Sequence, residues 1–76
     1  MIPIQFEYVG ASYDSDLWGE NTKHFITVLE VFTHRYSGEL MYKVRDDYIE
    51  SSNLPISREY ILNETEILDM LKNRIN

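Results

Sequence analysis

The chain predicts an α+β fold: a small antiparallel sheet of three or four strands with one C-terminal helix packed on one face. Three observations carry that expectation. Ile2, Ile4, Phe6 and Tyr8 alternate with Pro3, Gln5, Glu7 and Val9, the period of a strand with one apolar face. Residues 24–33, HFITVLEVFT, are dominated by β-branched and aromatic side chains, and Ser37-Gly38 separates them from a second alternating run, LMYKVR. That is a hairpin signal. Asn63 with Glu66 three residues on opens an apolar pattern at helical spacing.

Each element has its own punctuation. Pro3 cannot donate to a ladder and suits the start or edge of a strand. Gly10 ends the first strand, and residues 11–23, rich in Ser, Asp, Gly and Asn, read as a loop. In the hairpin, a two-residue loop would set Tyr36 against Glu39. Counting outward then pairs Val31 with Val44, Thr33 with Tyr42, and Glu30 with Arg45 as a cross-strand ion pair. Leu40, Tyr42 and Val44 would share the Leu29/Val31 face, leaving Ile26, Val28 and Phe32 on the other. A longer, bulged turn would change this register, and a one-residue slip inverts every face. Asp46-Asp47 is expected to break the pairing, and Asn53 to Pro55 to turn the chain. Ile56, Tyr60 and Leu62 alternate as a short fourth strand, with an early helix opening at Tyr60-Ile61 as the alternative. Asn63 caps the helix, Leu62 and Ile67 form its hydrophobic staple, and Ile67, Leu68, Leu71 and Ile75 mark its buried face. Glu64, Glu66 and Asp69 early with Lys72 and Arg74 late complement the helix dipole.

Composition bounds function. Seventy-six residues make one domain, 1–76, with room for one core. An apolar content of 43% is too high for a disordered chain. Cysteine is absent, which removes thiolate catalysis, disulfides and zinc-thiolate sites. No apolar stretch is long enough to span a bilayer or to form a signal's apolar segment, so a cytoplasmic protein is expected, without a membrane partner. Thirteen acids against seven bases give a net charge of −6, the wrong sign for holding a phosphate backbone, so no direct nucleic-acid binding is expected. The charge is uneven. Residues 1–22 hold four acids and no base, residues 23–45 carry +2, residues 46–69 carry −6, and the last seven carry +2.

Chemistry-bearing motifs are sparse. His24 and His34 stand about 30 Å apart along one extended strand and cannot share a metal; they read as polar strand-end residues. Asp14-Ser15-Asp16 with Glu20 resembles the start of a calcium loop, but Trp18 and Phe25 fall where ligands are needed. Glu20, Asp46, Asp47, Glu50 and Glu59 supply carboxylates without a spacing that brings two together for acid–base work. Asn63-Glu64-Thr65 matches a glycosylation acceptor, yet capping accounts for Asn63. No cofactor, metal or catalytic residue is expected, and an enzyme this small would struggle to enclose a ligand site.

The expected function is therefore a non-catalytic protein-binding module, an acidic inhibitor or adaptor acting by surface contact. Trp18, Tyr13 and Tyr36 would be its aromatic anchors, and Asp14, Asp16 and Glu20 a rim steering a partner with a basic surface. Leu17 and Trp18 could instead plug the core. Two alternatives stand beside it: a phosphate or DNA mimic that inhibits a nucleic-acid-binding protein, and a homodimeric structural subunit that seals its second apolar sheet face.

Overall fold

The computed structural model describes residues 2–11, 21–49 and 53–75. Four strands form one antiparallel sheet in sequence order: β1 (Gln5–Ala11), β2 (Asn21–Thr33), β3 (Leu40–Ile49) and β4 (Pro55–Asn63), followed by α1 (Glu64–Leu71). The α+β class with a C-terminal helix on the sheet is as the sequence predicts, and residues 56–62 do lie in a strand. The core sits between the helix and one sheet face. Phe6 and Tyr8 of β1, Ile26 of β2, Tyr42 and Val44 of β3, Leu62 of β4 and Ile67 of α1 are buried together, with Ile2, Val28, Tyr60, Met70 and Leu71 packed against them.

The helix is only eight residues long, too short to persist alone, so its cap and its packing define it. Asn63 Oδ1 accepts the Glu66 N–H at 2.8 Å and Glu66 Oε1 accepts the Asn63 N–H at 2.9 Å, closing the capping box. Leu62 and Ile67, the expected staple, are both buried. The helix ends earlier than its apolar pattern implies. Lys72 is the C-cap, Met70 joins Ile67 and Leu71 on the packed side, and Leu68 and Ile75 are exposed. Residues 73–75 then turn back along β1: the Val9 N–H donates to Asn73 O at 3.2 Å and the Ile75 N–H to Glu7 O at 3.0 Å. That return covers the outer edge of β1 with a short strand-like segment, one way a fold blunts an open edge.

Several expectations are corrected. Ile4 lies before β1 and is exposed, while Phe6 and Tyr8 keep the predicted buried face. Asp46-Asp47 does not break the third strand, which continues to Ile49; each carboxylate has a partner within the sheet. The hairpin register differs because the loop is longer than two residues. The His34 N–H donates to Glu39 O at 2.6 Å and the Gly38 N–H to His34 O at 3.0 Å, leaving a four-residue loop, 35–38. Gly38, at φ +75°, supplies the left-handed position that this loop requires. Val31 accordingly pairs with Tyr42, Thr33 with Leu40, and Glu30 with Lys43 rather than Arg45.

A β-bulge at Leu29 changes the faces as well. Val28 opposes Val44 and Val31 opposes Tyr42, so β2 advances three residues while β3 retreats two. Ile26 and Val28 therefore share the helix-covered face with Val31, Tyr42 and Val44, and only Phe32 stays opposite, as the extra residue flips the alternation. The second face is not the continuous apolar surface expected of it. Phe25, Phe32, Ile49 and Ile61 stand there among Glu7, Thr27, Lys43, Arg45, Asp47 and Glu59, none of which is buried. Arg45 and Asp47 pair at 3.1 Å, and Lys43 and Glu59 at 3.8 Å.

Candidate functional site

Tyr36 alone among the expected anchors and rim residues lies within the described residues. Tyr13, Asp14, Asp16, Trp18 and Glu20 fall outside them, as does Leu17. Tyr36 stands at the tip of the β2–β3 loop, 86% exposed, with the Arg35 guanidinium 5.7 Å from its ring centre. His34 builds the base of this tip. Its Nδ1 accepts the Tyr36 N–H at 3.3 Å and the Ser37 N–H at 3.2 Å. A ring nitrogen that accepts carries no hydrogen, so Nε2 bears the N–H and points a donor outward.

Below the tip runs a feature that no local pattern in the sequence marks. β2 has thirteen residues and β1 seven. Their pairing stops at Gln5 opposite Thr27, with one further bond from the Val28 N–H to Ile4 O at 2.7 Å. Residues 29–33 are held by β3 on one side and by no strand on the other, among the described residues. Leu29 and Val31 on this stretch are 43% and 52% exposed, and Leu40 across the hairpin is exposed too. The molecule measures 40 × 22 × 19 Å, and the hairpin arm forms part of its length. Alternation fixes which backbone groups face outward. The His34 N–H points to β3, so Phe32 and Glu30 do likewise, while Val31 and Thr33 direct their N–H and C=O groups to the open side. An apolar strand edge with unpaired backbone donors and acceptors is a template for another strand.

Deep in the other half lies a polar cluster. His24 and Asp46 are fully buried, with His24 Nδ1 2.8 Å from Asp46 Oδ1 and Nε2 3.1 Å from Ala11 O. The Tyr60 hydroxyl donates to Asp46 Oδ2 at 2.8 Å. Tyr8 stacks on the imidazole at 5.0 Å, and Tyr48 tilts against it at 5.1 Å. His24 is thus a core residue, not the polar strand end expected from its position. A peptide oxygen and a carboxylate flank its two nitrogens, so both are engaged and neither faces solvent. The arrangement resembles a catalytic dyad in composition, and, fully buried, it ties β1, β2, β3 and β4 together. The signal was present in the stripe Tyr42, Val44, Asp46, Tyr48, where an acid takes a core position and requires a partner.

An open groove of about 590 Å3 crosses the far end of the sheet, lined by Phe25, Tyr48, Ile49, Pro55 and Ile56 with Lys23 and Asp47 at its margin. No cluster of three metal-ligating side chains occurs among the described residues, and no described helix is long and apolar enough to cross a membrane. No family model matches the chain, nor does any curated protein or solved structure.

Proposed function

We propose that the chain is a non-catalytic protein-binding module that engages its partner by strand addition along the outer edge of the β2–β3 arm. The observation that carries this reading is the mismatch between β1 and β2. Five residues of an apolar strand, 29–33, present an unpaired edge, with Tyr36 exposed at the end of the arm. Main-chain hydrogen bonds from Val31 and Thr33 would supply affinity, and Leu29, Val31 and Leu40 the apolar contact.

The phosphate-mimic alternative draws little support from the described residues. Asp46 is buried, Asp47 and Glu59 pair with Arg45 and Lys43, Asp69 pairs with Lys72 at 3.4 Å, and Glu66 is used in the cap. A mimic needs rows of free carboxylates, whereas these are neutralised or occupied in place.

The test is retention of a partner by the immobilised wild-type protein and by Val31→Pro. Proline removes an outward N–H without breaking a bond to β3. Strand addition predicts at least a tenfold loss for the variant and little change in wild-type binding between low and high salt. Retention equal in both proteins, or loss of binding on adding salt or competing DNA, contradicts it.

A further inference from the structure

From the geometry of this edge we infer that the strand it accepts is the same edge of a second copy of the chain, so that two β2 arms pair antiparallel and join two sheets into one. The inference rests on the strand-addition reading and names the occupant of that site. It follows from which groups point outward. Val31 and Thr33 are two apart and both face the open side, so a two-fold axis at Phe32 sets Val31 of one copy opposite Thr33 of the other, and the reverse. Each such pair exchanges two backbone hydrogen bonds, so the outward groups of both residues are satisfied in both copies. A two-fold interface presents the same patch twice and must be self-complementary, and this segment is.

Side chains fit the same register. Phe32 meets its symmetry mate across the axis on the open face, an aromatic cross-strand pair. Glu30 falls opposite His34, whose Nε2–H is the free donor left by the turn, and Arg35 follows at the next position. The Glu30 carboxylate can thus accept from the His34 Nε2–H of the other copy, twice by symmetry. The incoming arm takes the slot beside residues 29–33, and its turn ends where Ile4 accepts the Val28 N–H. The other open edge, β4, suits this less well. It starts at Pro55 and carries Arg58 and Glu59, both exposed, at its centre, and such residues guard an edge against pairing.

The pairing covers few residues and stays below the ~1,600 Å2 of a standard interface. Association is accordingly expected to depend on concentration, between about ten micromolar and about one millimolar. Sedimentation equilibrium over that range should move wild type from the monomer mass of 9.1 kDa towards twice that value. Val31→Pro should stay monomeric, and Val31→Lys, which leaves the backbone donor in place, should weaken association at least tenfold; the circular dichroism of each variant reports whether it has folded. Because the chain has no cysteine, Phe32→Cys offers a clean test of register. A directly opposed pair of this kind lies with Cα atoms about 4.5 Å apart, within disulfide reach. Mild oxidation should link Phe32→Cys into dimers, and Leu29→Cys should remain largely unlinked.

A wild type that is monomeric throughout overturns the second copy as occupant; the strand-addition reading is then judged separately, by the retention difference between wild type and Val31→Pro. A dimer that survives Val31→Pro, or that links more readily through Leu29→Cys, also overturns the inference.

Discussion

His24 shows how one residue can hold a small fold together. Its two nitrogens face Asp46 and the Ala11 carbonyl, and Tyr60 satisfies the other carboxylate oxygen. The cluster therefore ties β1, β2, β3 and β4 through four side or main chains. Gly10 belongs to the same arrangement, because a Cβ there would stand 2.5 Å from the Tyr8 ring that stacks on the imidazole. Removing one partner of a buried pair costs more than the pair contributes, since the other charge stays behind without compensation. His24→Phe keeps the ring volume but takes the imidazole away from Asp46, and should cost about 3–5 kcal/mol. Asp46→Asn retains an acceptor for the imidazole and should cost less. Urea unfolding of the three proteins measures both; a His24→Phe midpoint near that of wild type would mean that Asp46 draws little from the imidazole. None of this was legible from His24 alone, since a histidine at the start of a run gives no sign of a partner twenty-two residues away.

Elements with local determinants were the legible ones. Asn63 and Glu66 define the start of α1 by themselves, and Phe6 and Tyr8 define the buried face of β1, as each signal lies within a few residues. Registers and faces were not, because they depend on one inserted residue at Leu29 and on a loop closed between His34 and Glu39, and neither leaves a periodic trace. The early stop of α1 also comes from tertiary structure, with residues 73–75 recruited to the edge of β1. The helix is tied to the sheet by Tyr42 as well. Burial pushes the phenol of Tyr42 above its ordinary value, and the charge of Glu64 and a hydrogen bond to it act in the same direction. The folded protein then keeps this proton at a pH where the unfolded chain has lost it. Stability from this group is complete below the ordinary tyrosine value of about 10 and is lost as pH rises through the folded value. Urea midpoints measured across the alkaline range should fall more steeply for wild type than for Tyr42→Phe. Equal slopes would remove Tyr42 from the account.

At the scale of the whole molecule, charge and shape divide the labour. The described carboxylates are largely paired, buried or used in capping, so the net charge of −6 fits solubility at least as well as recognition. Shape is more specific: a sheet whose second strand outruns its first leaves an apolar edge at one end, while the edge of β1 is closed by the returning C-terminal segment. In the sequence, the aromatic residues point to a binding module with its contact around Tyr13, Trp18 and Tyr36. The edge at residues 29–33 emerges only once the lengths of β1 and β2 can be compared. The claim that this edge is the binding surface is tested most directly by amide hydrogen exchange at Val31 and Thr33, followed as protein concentration rises or a bound partner is added. Rapid exchange in the dilute free chain that slows by tenfold or more on association is the predicted result. Protection of these two amides that is unchanged by association, with slowing confined to other strands, would contradict it.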